Sequence, residues 1–210
     1  MPDSNKHIRD LQEEIARNDS EQAFAALFRL LYDRLIRFCM QYVSSREAAE
    51  EVVSDVFVRI WERRAGLTEV GNLEVYLFVS VRNQAYNYQE KYSSMRISPL
   101  ENGEWELKDT GDPGRDMEWK EMAARLDREV NLLPDQCRKV FRLIKEEGFR
   151  YKEVAQILNI SPRTVETQLF RAIRRLQEAV GHWLPDKLKK GGKLPPTVGL
   201  LLMLLDGWMW

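Results

Sequence analysis

The sequence predicts an all-α protein of two small helical domains joined by an acidic flexible linker. Three observations lead there. Apolar residues recur at spacings of three and four along most of the chain, without the alternation that marks a strand. Residues 93–117 break that pattern with Pro99, Gly103, Gly111, Pro113 and Gly114 set among many acids, the composition of a linker. Residues Tyr151 to Leu176, YKEVAQILNISPRTVETQLFRAIRRL, form two short amphipathic stretches around a tight turn. With 210 residues, 31% charged and 44% apolar, the chain has room for one large or two small domains of ordinary soluble composition.

Four helical patterns precede the linker. A short one runs through Ile8, Leu11 and Ile15, and a longer one carries Phe24, Leu27, Phe28, Leu31, Leu35, Phe38 and Tyr42. The third, Ser45 to Arg64, opens on Ser and acids and closes on Arg63, Arg64 and then Gly66, as helix-end electrostatics favour. The fourth runs from about Leu73 to Lys91. The expected domains are therefore 1–92 and 118–184, with the linker at 93–117 and a basic hinge and apolar tail at 185–210.

The stretch from Tyr151 gives the second domain its character. Val154, Ile157 and Leu158 share one face, and Ala155 supplies a small side chain where another helix can cross. Asn159 stands where the chain must turn, and Asn is the best substitute for Gly in a left-handed conformation. Ser161 can cap the next helix and Pro162 fits its first position, although Thr164 at the third position completes no capping box. Val165, Leu169, Ile173 and Leu176 form the expected inward stripe, leaving Arg163, Glu166, Thr167, Arg171 and Arg174 outward. This is a helix-turn-helix whose second helix fits a major groove.

Charge is segmented. From Ser161 to Lys193 eight Lys or Arg stand against three acids, a local net of +5; from Ser98 to Glu118 seven acids stand against two bases, a local net of -5. The total of -1 hides a basic end suited to nucleic acid. No catalytic constellation, phosphate-cradling loop or metal-ligand spacing is found, so a binding protein is expected, with no enzymatic activity and no cofactor or metal. Cys39 lies in an apolar helical run and reads as core. Cys137 lies near a helix start, where a thiol can be acidified. The absence of a signal sequence leads to an expected cytoplasmic location, and Val198 to Leu205 is far shorter than the ~20 residues of a transmembrane helix.

Two helices carry more than a core pattern. In REAAEEVVSDVFVRIWERR, Val52, Val56, Ile60 and Phe57 can pack inward while Glu51, Asp55, Arg59 and Glu62 stay outside. That outer face fits two readings equally: a solvated surface, or a docking surface for a basic partner with Trp61 as an aromatic anchor. In LEVYLFVSVRNQAYNYQEK, Tyr76, Phe78, Tyr86 and Tyr88 mix with Arg82, Asn83, Asn87 and Lys91. Phe78 reads as core; exposed aromatics beside amides and bases suit single-stranded nucleic acid. The preceding Gly66 to Asn72 loop is short and polar enough to help hold an unstacked base.

In their order, these segments resemble a bacterial RNA polymerase sigma factor of the sigma-70 family, extracytoplasmic-function (ECF) group. The resemblance covers about Ala23 to Gln89 and Leu126 to Ala179. EAAEEVVSDVFVRIWE is similar to the family's core-polymerase-binding helix, and YLFVSVRNQAYNY to its promoter-melting and -10-reading helix. The stretch from Leu133 to Leu176 resembles the -35-reading domain nearly throughout. The Tyr-Leu-Phe and Val-Arg-Asn steps are close in style to Bacteroidetes members. Ser54 stands where family members often carry Gln.

The resemblance implies roles. Asp55, with Phe57 and Trp61, would bind the clamp helices of the polymerase β′ subunit. Tyr76, Arg82, Asn83 and Asn87 would lie near the opened -10 element, with the Leu67 to Leu73 loop capturing a flipped base. Arg163, Thr164, Glu166, Thr167 and Arg171 would face the -35 element. The acidic linker would thread toward the active-site channel. Core RNA polymerase, promoter DNA and an anti-sigma factor are the implied partners, with no small-molecule substrate. The rivals are a stand-alone helix-turn-helix regulator and a DNA recombinase, for which no nucleophile with convergent arginines is evident. The tail reads as an inhibitory segment, a membrane-surface contact, an anti-sigma site or a disordered end.

Overall fold

The computed structural model describes residues 2–93 and 116–183, with side chains over 6–92 and 124–179. The interior of the expected linker and the whole of the expected apolar tail lie outside the described residues. The helices are α1 (Pro2–Asn18), α2 (Glu21–Cys39), α3 (Arg46–Glu62), α4 (Leu73–Ser93), α5 (Asp116–Asn131), α6 (Asp135–Lys145), α7 (Tyr151–Leu158) and α8 (Pro162–Trp183). A 3-10 turn, Arg64–Glu69, joins α3 to α4, and no strand occurs among the described residues. The chain falls into two compact units, the first built on α1 to α4 and the second on α5, α6 and α8. The all-α, two-domain expectation holds.

Capping residues start α2, α3 and α4. The Ser20 and Ser45 hydroxyls each accept from the backbone N–H three residues on, at 3.2 Å, and the Asn72 side chain does the same for Val75 at 3.1 Å. Each such cap contributes about 1 kcal/mol by satisfying a helix-end donor. The first core then forms where three apolar stripes meet. Leu27, Leu31, Leu35 and Phe38 of α2 are buried, as are Ala49, Val52, Val53 and Val56 of α3, and Leu77, Phe78, Val81 and Ala85 of α4. The Phe38 and Phe78 rings lie 5.0 Å apart, and an Arg34–Glu74 ion pair of 2.6 Å ties α2 to α4 beside them. Tyr42 departs from its expected place: α2 stops at Cys39, and Tyr42 follows in a turn, buried with its ring edge-on to Phe38 at 5.3 Å.

In the second unit α6 packs against α8. Val140, Phe141 and Leu143 of α6 are buried, and so are Val165, Leu169, Ala172 and Leu176 of α8. The inward stripe thus passes through Ala172 rather than Ile173, which is only half-buried. At 100° per residue either fits the pattern, and the small side chain takes the place where two helices approach closely.

Both cysteines are buried and unpaired. Burial pushes the Cys39 thiol up to about 12. It also raises that of Cys137, with Arg175 and Arg171 opposing it only in part. Proximity to a helix start therefore does not acidify Cys137; its sulfur instead lies 3.0 Å from the Gln168 amide oxygen. At pH 8 roughly one Cys39 in ten thousand would be thiolate, from a pKa of about 12. Ellman's reagent should react with Cys39 only after denaturation; rapid labelling of the native protein at that residue would contradict this burial.

Candidate functional site

The outer face of α3 is built as its sequence dictates. Glu51, Ser54, Asp55, Arg59 and Glu62 are exposed, over the buried Val52, Val56 and Ile60. Gln84 of α4 orders part of this face: its amide donates to the Asp55 carboxylate at 3.2 Å and accepts from the Arg59 guanidinium at 2.9 Å. Phe57 is only 2% exposed, with the Phe28 ring at 4.8 Å and the Phe24 ring edge-on at 6.0 Å. Asp55 is thus open to a partner, whereas Phe57 lies beneath the surface and sets its packing. Trp61 is half-buried, 5.0 Å from the Phe24 ring, and the Arg64 guanidinium lies 4.6 Å from its ring centre.

Around the corner, α3, the 3-10 turn and α4 enclose a cleft of about 360 Å³. That is within the ~300 to 1,000 Å³ of small-ligand clefts. Tyr76, Ser80, Asn83 and Asn87 line it from successive turns of α4, Gly66, Leu67 and Val70 from the turn, and Arg59 and Arg63 from the end of α3. Tyr76 is 40% exposed, and Asn83 and Asn87 are exposed too. The cleft thus offers an aromatic face, two amides able both to donate and to accept, and two fixed positive charges. These are the groups that hold an unstacked base and its phosphates.

Of the four residues expected at this face, Tyr76, Asn83 and Asn87 come together. Arg82 is half-buried and donates to the Asn83 side-chain oxygen at 3.1 and 2.6 Å, so it orients Asn83. Arg59, Arg63, Ser80 and Gln84 line the cleft as well, a place their sequence positions did not lead one to expect. The two arginines face the cleft only because the 3-10 turn folds the chain back at the end of α3, which periodicity along one helix does not reveal. Ser80 stands one helical turn from Tyr76 and Asn83, and Gln84 one turn from Ser80 and Asn87, so spacing along α4 could have found both.

The second exposed face is on α8. Asn159 takes a φ of 55°, the left-handed turn its side chain tolerates. The Ser161 hydroxyl then accepts from the Thr164 N–H at 3.0 Å and shares a 2.8 Å hydrogen bond with the Thr164 hydroxyl. The Thr164 hydroxyl thus braces the capping side chain rather than taking the Ser161 backbone N–H as a capping-box acid would, and Thr164 is half-buried and engaged at the cap. Arg163, Glu166, Thr167 and Arg171 are exposed. The Thr167 hydroxyl donates to the Arg163 carbonyl at 2.9 Å, keeping its lone pairs for an incoming donor. Beneath this face the Tyr151 hydroxyl is pushed up by burial first and by the Glu166 carboxylate second.

Phe170 was missed. It is 60% exposed and falls four residues after Glu166 and three after Thr167, on the same outer face. Its position was readable from spacing, but an aromatic side chain looks like core when read by type. An exposed ring there suits apolar contact of the kind made with a thymine methyl group, beside charged and hydroxyl side chains of the types suited to base edges.

Residues 27–94 match the family described as Sigma-70 region 2, and residues 120–176 the one described as Sigma-70, region 4. Together the matches span more than half of the chain. Over 180 residues the chain is 22% identical to the RNA polymerase sigma-H factor of Pseudomonas aeruginosa, covering 82% of this chain and 93% of that one. It is 24% identical over 162 residues to the ECF RNA polymerase sigma factor SigM of Bacillus subtilis, covering 77% and 97%. Among solved structures, the sigma factor RpoE in complex with the anti-sigma factor NepR from Bartonella quintana aligns with a TM-score of 0.53 at 23% identity, over 75% of this chain and 96% of that one. CnrH in complex with the cytosolic domain of CnrY gives 0.53 at 18%, over 84% and 98%. At these identities the structural likeness is one of fold.

Proposed function

The chain belongs to the sigma-70 family as a sigma factor of the extracytoplasmic-function type, and from that premise we propose that it directs core RNA polymerase to a two-part promoter and helps open it. One observation carries the reading. Each matched region presents an exposed face of a chemistry suited to nucleic acid: a basic, amide-lined cleft in the first and the outer side of α8 in the second. The cleft, with Tyr76, Asn83 and Asn87, holds an unpaired base of the -10 element while Arg59 and Arg63 balance its phosphates. Arg163, Glu166, Thr167, Phe170 and Arg171 read the -35 element, with Thr164 supporting the helix start.

Asp55 and Trp61 dock on the β′ clamp helices, and Phe57 shapes that face from beneath. Domain limits of 1–92 and 118–184 suit this division of labour. Two weak DNA contacts held on one polymerase raise each other's effective concentration, which is why a chain of net charge -1 suffices. The solved relatives are bound to anti-sigma partners or to a cytosolic domain, which supports a similar partner here and a cytoplasmic location. The protein brings no catalysis of its own. The Tyr-Leu-Phe and Val-Arg-Asn steps support a place among the Bacteroidetes-type members.

Run-off transcription with purified core polymerase tests the proposal, on a fragment from upstream of the protein's own gene. A discrete transcript that requires the protein supports it. In the same assay Arg171→Ala should weaken promoter use about 5- to 150-fold, the equivalent of ~1 to 3 kcal/mol for a lost base contact, while core binding survives. Tight duplex binding without polymerase, combined with no core binding in a pull-down, would instead mark a stand-alone regulator.

A further inference from the structure

Gln12 is the polar side chain buried with the core among the described residues, at 7% exposure, and it stands on α1, before the stretch matched as region 2. A primary amide has two N–H donors. Here the Gln12 nitrogen donates to the Leu67 carbonyl at 2.6 Å and to the Val70 carbonyl at 2.7 Å. Those carbonyls bracket the last part of the 3-10 turn, whose residues Gly66, Leu67 and Val70 form one wall of the cleft. Across the same span the Val70 N–H donates to the Leu67 carbonyl at 3.0 Å. At its other end Arg64 pairs with Asp19, just beyond α1.

We propose that Gln12 is a positioning residue for base selection: by gripping both carbonyls it fixes the wall of the cleft against which one unpaired promoter base is read. The 3-10 turn is short, with the poorer hydrogen-bond geometry of its class, and neither Gly66 within it nor Gly71 beyond it meets an atom that a side chain there would press on. α1 adds two hydrogen bonds that hold its end from outside. A buried amide that spends both donors on two carbonyls of one wall is costly to leave unpaired, so the wall and the helix are held in register. The inference rests on the reading of the cleft as a base site.

The test uses full-length protein bound to core polymerase and a set of fork-junction promoters, each with one -10 position varied through the four bases of the unpaired strand. Gln12→Met keeps the length and removes both donors; Gln12→Asn keeps the amide but reaches at most one carbonyl. Gln12→Met should flatten base discrimination at one -10 position by about tenfold, within the ~5- to 150-fold of a base contact. Gln12→Asn should give an intermediate loss, and both should keep core affinity and -35 discrimination. Equal loss at every position, or a fall in core affinity in parallel, would show a merely structural role and overturn the proposal. Should Gln12→Met not fold, Gln12→Asn decides alone: unchanged discrimination overturns the positioning role. Asn87→Ala, measured alongside, separates the two claims. If it relaxes discrimination and the Gln12 variants do not, the positioning role fails; if it too has no effect, the reading of the cleft fails.

Discussion

Replacing Asp55 by alanine should lower affinity for core polymerase by about 2 to 5 kcal/mol, roughly 30-fold to several-thousand-fold, the range for truncating one member of a hydrogen-bonded charge pair at an interface. The carboxylate is exposed in the free protein and already oriented, since the Gln84 amide holds one oxygen at 3.2 Å. A partner cation therefore meets a fixed acceptor rather than a rotating one, and less ordering entropy opposes docking. The same exposure means that the free protein should hardly notice the change, within about 0.5 kcal/mol of stability as for surface substitutions generally. Fluorescence anisotropy against labelled core, paired with urea unfolding of the free chain, separates the two effects. An affinity within about threefold of the parent, well below the interface range, would remove Asp55 from the contact.

The second large effect concerns two phenylalanines of opposite fate. Phe78 is fully buried, with the Phe38 ring 5.0 Å away and the Arg34 guanidinium 5.9 Å from its ring centre. Phe78→Ala should cost about 3 to 5 kcal/mol through lost burial and the cavity left behind. Against a typical domain stability of ~5 to 15 kcal/mol, that is a large share of what holds α4 and its cleft-lining face in place. Phe170→Ala removes the same atoms from a ring that is 60% exposed and should change stability by no more than about 0.5 kcal/mol. It should instead weaken -35-dependent binding. Equal shifts of the two variants in urea would contradict the burial of one and the exposure of the other.

The parts legible in the sequence are those that a single element encodes. Asn159, Ser161 and Pro162 announce their turn and cap because each acts on its own backbone within three residues, and the structure places them so. The helices of the first unit follow from spacing in the same way, since an apolar stripe needs only its own period. What stayed hidden depends on a second element. Gln12 reads as one more polar residue of an amphipathic helix until the 3-10 turn brings two carbonyls to it. Arg59 reads as part of the outer face of α3, and Arg63 as its basic end, until that turn brings both to the cleft. Ala172 displaced Ile173 from the core for the same reason: the width of the gap is set by α6, and nothing within α8 states it.

The capping of α8 has a consequence for how such a protein can change. The residues that set this helix in place, Asn159, Ser161, Val165, Leu169, Ala172 and Leu176, are disjoint from those that look outward, Arg163, Glu166, Thr167, Phe170 and Arg171. The frame and the lettering are written in separate residues of one short segment. Outer-face substitutions therefore leave the frame unstrained, and a duplicated gene could acquire a new target sequence by a few exchanges on that face. Such a fold permits lineages of regulators to multiply and diverge in the addresses they recognise without first solving the problem of folding again.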